Sequence, residues 1–335
     1  MLKSIFGLFI FGTFAFFSSS TNYSLKSYSI GPGGTNTSSS SNYKAQANLG
    51  ETAGISSSTN YSSKSGSIQA EQANVPPAPT LSTNGGTYYN QLGLILNTGG
   101  NPPSATFAVA VSSNNFANTY YVQSDGTLGA TQYFQTYIGW GGASGTNIVG
   151  LAPSTVYEVK VSAMDGTFTQ SEYGPYASAS TTVPSITFSL SPSSQNIGTL
   201  LPGSIITSPS TVNFSISTNA DNGADIYVTG QYAGLYSNYS GNIIPAYSGD
   251  LSSTAHGFGL QDTSETSPLT AQSPYNGSGT VVGSISPNIY ASLFSATSPI
   301  SSGLASVSFE AKSEPSDISS SDYSEVLTFL AAADY

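Results

Sequence analysis

The chain has 335 residues, of which only 7% are charged, a formal net charge of −11 at neutral pH and no cysteine. It has no arginine, and its six lysines (Lys3, Lys26, Lys44, Lys64, Lys160, Lys312) are scattered, so nucleic acid and anionic membrane surfaces are poor partners. Without cysteine there are no disulfides, thiolate metal sites, cysteine catalysis or lipid-bearing N-terminal cysteine.

Solubility must rest on Ser, Thr, Asn, Gln and Tyr, and a charge-poor composition with aromatic residues and turn prolines favours many short strands over helices. The expected fold class is therefore all-β. The length exceeds one ordinary sandwich and allows two or three domains. At the start, Met1-Leu2-Lys3 and an apolar run from Ile5 to Phe17 read as a signal peptide over residues 1–20, with Ser18-Ser19-Ser20 supplying small residues for cleavage. An uncleaved anchor is the alternative, because the Ala-x-Ala pattern is missing. The expected location is secreted or at a cell surface.

Residues 21–75 carry a degenerate repeat in which Asn22-Tyr23, Asn42-Tyr43 and Asn60-Tyr61 recur about every twenty residues. That period suits one strand and one Gly/Ser turn per unit, as in Ser27–Ile30 before Gly31-Pro32-Gly33-Gly34. A disordered Ser-rich stalk is the competing interpretation, since apolar content here is low.

Val75-Pro76-Pro77-Ala78-Pro79 is a linker, because consecutive prolines hold an extended backbone and remove sheet donors. Strands are expected at Gly93–Asn97, Thr106–Ser112, Thr119–Gln123, Val156–Ala163 and Ala177–Thr182, with turns at Ser124-Asp125-Gly126 and Asp165-Gly166. Leu151-Ala152-Pro153-Ser154-Thr155-Val156-Tyr157 forms a turn feeding a strand whose Tyr157, Val159 and Val161 face one way. Such a tyrosine corner buries the ring under a sheet-to-sheet crossing and uses its hydroxyl on a backbone group that would otherwise be buried unpaired. With this spacing, residues 76–183 resemble a fibronectin type III domain, including the approach to the last strand at Ser171–Ser178. They depart from it in a long excursion, Gln132–Gly145, which carries the single tryptophan, Trp140. Trp140 is either a stacking platform for a sugar ring or a core plug under the loop, and burial is the commoner fate of an isolated indole.

After Val183-Pro184 the pattern restarts as a second β-sandwich over residues 184–335, with strands at Ile186–Leu190, Thr211–Thr218, Asp225–Gly230, Ala305–Ala311 and Ser324–Ala331. Val212, Phe214 and Ile216 alternate with period two. The Gly/Ser/Tyr/Asn-rich stretch Gln231–Ser284 is expected to form surface loops. The whole layout resembles modular bacterial surface proteins.

Chemistry has few anchors. His256 is the only histidine, and a triad with Ser253 and Asp262 lacks a nucleophile-elbow Gly-x-Ser-x-Gly, so a solvent-exposed loop residue is the expectation. Asp221, Asp225, Asp250, Asp262 and Glu265 are the carboxylates a glycosidase would draw on, and they equally describe an acidic surface. Asp221-Asn222-Gly223-Ala224-Asp225 places oxygen side chains around a glycine turn, which suits calcium, although the closing Glu of an EF-hand loop is absent and an Asx turn fits the same residues. Tyr120 and Tyr121, with other loop tyrosines, could make an adaptable binding surface. The expectation is a non-enzymatic adhesion or structural protein of a cell surface, meeting proteins or glycans. The alternatives are a carbohydrate-binding module or a self-associating filament subunit assembled through strands.

Overall fold

The computed structural model describes residues 73–166 and 170–335, together with the backbone strands Gly33–Ser39, Lys44–Leu49, Ser56–Ser57 and Ser62–Ser63. These four strands pair as two antiparallel hairpins. Gly33 and Gly34, expected in a turn, instead open a strand. The proposed signal segment, the three Asn-Tyr pairs and the strand expected at Ser27–Ile30 lie outside the described residues. The chain divides into two compact units, Met1–Ala73 with Met164–Ser171, and Asn74–Ala163 with Glu172–Tyr335.

The second unit is all-β and contains two groups of sheets. In the first group, Thr146–Ile148, Leu92–Ile95 and Thr80–Ser82 form an antiparallel sheet in that order. The companion sheet runs Ala177–Ser180, Val156–Met164, Thr106–Ser112, Tyr120–Val122 and Leu128–Gly129. Alternation along Val156–Met164 sends Tyr157, Val159 and Val161 inward, where they join Leu92, Leu94, Phe107, Val109 and Ile148 in the core. The excursion between sheets packs on the central strand, since Gln135 and Thr136 pair with Phe107 and Thr106.

The second group opposes two sheets over one core. One runs Ile186–Ser191, Val212–Thr218, Ile300–Lys312 and Ile205–Thr207, with Gly257–Glu265 also paired to Ile300–Lys312. The other runs Thr270–Ala271, Ala291–Ala296, Ala224–Gly230 and Leu327–Ala333. Phe214 joins them: its ring lies 6.0 Å from Phe188 in its own sheet and 6.1 and 4.9 Å from Phe294 and Phe329 in the facing one. Val212, Phe214 and Ile216 are all buried, as their alternation requires.

The stretch Gln231–Ser284 departs from the expected surface loops. It contributes Gly257–Glu265, a strand of the core whose Phe258 and Leu260 are buried. The signal is masked by Gly257 and Gly259, which read as turn residues. Gly259 is required because a Cβ there would sit 2.6 Å from Val282 Cγ2 and 2.7 Å from the Gly283 carbonyl oxygen.

The two sandwiches meet at Asn219, which is buried. Its Nδ2 donates to Val183 O (2.8 Å) and Thr182 Oγ1 (3.4 Å), and its Oδ1 accepts from Ser185 N (2.8 Å). Its carbonyl accepts from Tyr89 N at 3.2 Å, while Thr182 Oγ1 donates to Tyr88 O at 3.3 Å. Tyr335 completes the joint edge-to-face on Tyr89, with ring centroids 5.3 Å apart. A buried amide that meets most of its hydrogen-bonding capacity across a seam holds both sides in one register.

Asn219→Ala is expected to cost about 1–3 kcal/mol, because it leaves the Ser185 amide and Val183 carbonyl without this partner. In urea, Trp140 fluorescence (first sandwich) and far-UV circular dichroism (whole chain) should trace separate transitions in the variant and a more nearly coincident one in the wild type. Identical, unshifted curves would contradict the role given to Asn219.

Candidate functional site

The tyrosine corner forms as its spacing requires. Tyr157 is buried and its hydroxyl accepts from Ala152 N at 2.9 Å. Leu151 is buried and donates its amide to Asn90 O, while Pro153 is exposed and its carbonyl accepts from Thr155 Oγ1. Thr181 Oγ1 closes the turn on Ala152 O at 2.7 Å. These residues brace the scaffold.

Trp140 is the core plug. It is 1% exposed, its indole N–H donates to Phe107 O at 2.9 Å, and Tyr133 meets it edge-to-face at 6.4 Å. No face of the ring is free to stack on a sugar. Gly141 beside it adopts φ +82°, and a Cβ there would fall 1.8 Å from the Gly145 carbonyl oxygen, which explains the glycines around the indole. Tyr120 is exposed and Tyr121 half-buried. They are successive residues on one strand and so point to opposite faces rather than forming one platform.

Asp221 and Asp225 take separate tasks. Asp221 accepts from the side-chain amides of Asn90 and Gln91 at 3.4 and 3.3 Å, reinforcing the seam beside Asn219. Asp225 lies on Ala224–Gly230, and its Oδ2 accepts from the Tyr227 phenol hydroxyl (Oη) at 3.1 Å. Gly223 between them has φ +81°, and a Cβ there would lie 2.2 Å from the Ala296 carbonyl oxygen, so the turn is shaped by close backbone approach.

His256 is half-buried rather than fully exposed, and its carboxylate partner is Asp317, not Asp262. Its Nδ1 lies 3.0 Å from Asp317 Oδ1 and 3.6 Å from Glu314 Oε1. Ser253 Oγ donates instead to Asp250 O at 2.7 Å. No local pattern could have paired His256 with residues about sixty positions away. Only the register of the long strand Ile300–Lys312 brings them together, as Gly257 pairs with Lys312.

Elsewhere in this sandwich, Asp262 and Glu310 are among the carboxyls whose pKa is raised. Burial, then the hydrogen bond and charge of Glu265, push Asp262 up to about 6. Glu310 is 2% exposed on Ile300–Lys312, and burial raises its pKa although Thr207 Oγ1 (3.1 Å) and Gln261 Nε2 (2.8 Å) donate to its Oε1. Glu310 Oε2 and Gln261 Oε1 have no hydrogen-bond partner. A cleft of about 330 Å³ in the second sandwich is lined by Thr229, Gln231, Asn288, Tyr290, Val326 and Thr328, with Tyr290 52% exposed. Sequence reasoning passed over Tyr290 and Asn288 because they lie between strands with no motif around them. Among the described residues, no helix is long and apolar enough to cross a membrane.

No family model and no curated protein matches the sequence. Among solved structures, the chain is similar to a chitinase from Bacillus thuringiensis at 12% identity and TM-score 0.18, covering 76% of this chain and 29% of that one. It is also similar to the chaperone–tip adhesion subunit pre-assembly complex of the archaic Csu pili of Acinetobacter baumannii at 13% identity and TM-score 0.22, covering 78% of this chain and 96% of that one. Likenesses of this strength carry no functional argument.

Because burial raises the folded-state pKa of Glu310, the stability this group contributes is present below its unfolded value and is lost as pH rises through the folded one. Glu310→Gln is therefore expected to raise the melting temperature at pH 7 by about 2–4 °C, with the gain fading towards pH 4. Calorimetry across pH reads this directly. A variant less stable at pH 7 would show that the ionised carboxylate is needed.

Proposed function

We propose that this chain is a secreted, non-enzymatic protein of a bacterial cell surface that acts in adhesion or as a structural module. The observation that carries the proposal is a rigid pair of sandwiches from which large polar-aromatic side chains project: Tyr120, Tyr176, Tyr239 and Tyr290 are all exposed. Tyrosine supplies contact area at low rotamer cost, and a braced scaffold keeps the free surface from having to order on binding. The basic and then apolar start, Lys3 followed by Ile5–Phe17, supports export. A fibronectin type III-like assignment for the first sandwich is supported by its three-stranded sheet, its companion sheet and the Tyr157 corner. Fold alone implies no ligand.

Glycans fit the Tyr290 cleft better than the Trp140 loop, since an exposed ring stands there among the amides of Asn288 and Gln231 and the hydroxyl of Thr328. A second reading, the self-associating filament, is favoured by one observation. Leu327–Ala333 ends its sheet, pairs on one side only and carries no charge from Val326 to Ala333. It is not a detached strand, so any assembly would join edge to edge.

The full chain should run as a monomer in light-scattering chromatography and be retained on at least one polysaccharide of a panel, with Tyr290→Ala weakening that binding at least tenfold. Concentration-dependent polymers abolished by Leu330→Lys would favour the filament instead. Release of soluble sugar from the panel would overturn the non-enzymatic assignment.

A further inference from the structure

We propose that His256, Glu314 and Asp317 form a binding site for a divalent transition-metal ion, with zinc as its test ion. The ligand atoms of all three lie within 4.8 Å of one another. The donor set is one imidazole nitrogen and two carboxylates, which suits a first-row divalent ion that accepts N and O ligands. Calcium is a poorer occupant, because it takes six to eight oxygens and no imidazole is needed.

Two independent parts of the fold deliver the ligands. The antiparallel register that pairs Gly257 with Lys312 sets His256, just before one strand, close to the turn that follows the other. In that turn Asp317 N donates to Glu314 O at 3.0 Å, so the two carboxylates converge from a single reverse bend. The separations of His256 Nδ1 from Asp317 Oδ1 and Glu314 Oε1 are 3.0 and 3.6 Å. Ligands about 2.0–2.1 Å from zinc stand about 2.9–3.4 Å apart in octahedral or tetrahedral geometry. The first separation falls inside that span and the second just beyond it, so a shift of a few tenths of an ångström would seat the ion.

The surrounding groups hold the carboxylates in place. Asp317 is only 7% exposed in its side chain; its Oδ2 accepts from Glu314 N at 2.8 Å and its Oδ1 from Asn242 Nδ2 at 3.3 Å. Glu314 Oε1 accepts from Ser316 Oγ at 2.7 Å. Such outer partners fix ligand orientation in metal sites. Lys312 does not neutralise the pair: its Nζ donates to Leu251 O (3.1 Å) and Thr254 O (2.6 Å), anchoring the His256 loop by its backbone. Among the described residues, His256 is the one basic side chain within ion-pair distance of either carboxylate. Two carboxylates thus converge in a half-buried site, and a divalent ion supplies positive charge between them. The metal takes the Nδ1 lone pair of the neutral ring in the tautomer whose proton sits on Nε2; a ring that starts as imidazolium releases its Nδ1 proton to solvent on binding. The ion would pin the loop before Gly257 to the loop after Lys312, a cross-link in a chain that has no cysteine.

The test is clean because the chain has a single histidine. Chelator-treated full chain is titrated with zinc by calorimetry and equilibrium dialysis, and melting is followed with and without zinc. About one equivalent should bind saturably, zinc should raise the melting temperature, and His256→Ala and Asp317→Asn should each weaken binding at least tenfold. Glu314→Gln, on a more exposed side chain, should also weaken it, and Asp221→Asn should not. Circular dichroism of the metal-free variants confirms that they fold. Absence of saturable binding by the wild type, or binding undiminished in folded His256→Ala, would overturn the site.

Discussion

One buried amide, Asn219, sets the geometry on which the rest of the second unit depends. Five residues, Thr181 to Ser185, join the last strand of the first sandwich to the first strand of the second. A short connector alone would still permit hinge motion. Asn219 restrains it by donating back to Val183 O and accepting from Ser185 N, so the amide grips both sides of the crossing residue pair. Asp221 extends the grip to Asn90 and Gln91, and the Tyr335 ring closes on Tyr89. Net hydrogen-bond energies are modest, but a buried amide left unpaired is costly, and that asymmetry is what gives the seam a single register.

Away from the seam, this charge-poor chain places its few ionisable groups with purpose. Glu310 sits at 2% exposure among Thr207 and Gln261, and burial raises its pKa. Asp317 is nearly as enclosed and is instead held by His256, Asn242 and the Glu314 amide. In the first, burial disfavours the ionised form; in the second, both carboxylate oxygens have hydrogen-bond partners. Both depend on the strand Ile300–Lys312, which carries Glu310 and fixes where the following turn begins.

Where the sequence was informative, the reason is local. The corner at Leu151–Tyr157 and the alternation Val212, Phe214, Ile216 are encoded within a few residues, and both appear as read. Gly257–Glu265 was hidden because its glycines answer to Val282, Gly283 and Tyr247, neighbours from other parts of the chain. For Trp140 the sequence favours the core plug over the platform but hides its partner for the same reason, since the acceptor for its N–H is Phe107, thirty-three positions away. The His256 partners were invisible because only tertiary register joins residues 256 and 317. Local patterns thus revealed the scaffold, while candidate chemistry rests on long-range pairing.

Residual dipolar couplings of the two sandwiches in one weakly aligned sample test most directly whether the Asn219 seam makes them a single body. Couplings from strands such as Val156–Ala163 and Val212–Thr218 should fit one alignment tensor of common magnitude and orientation. Two tensors of different magnitude would show that the sandwiches reorient independently, and would contradict the seam as the organising constraint.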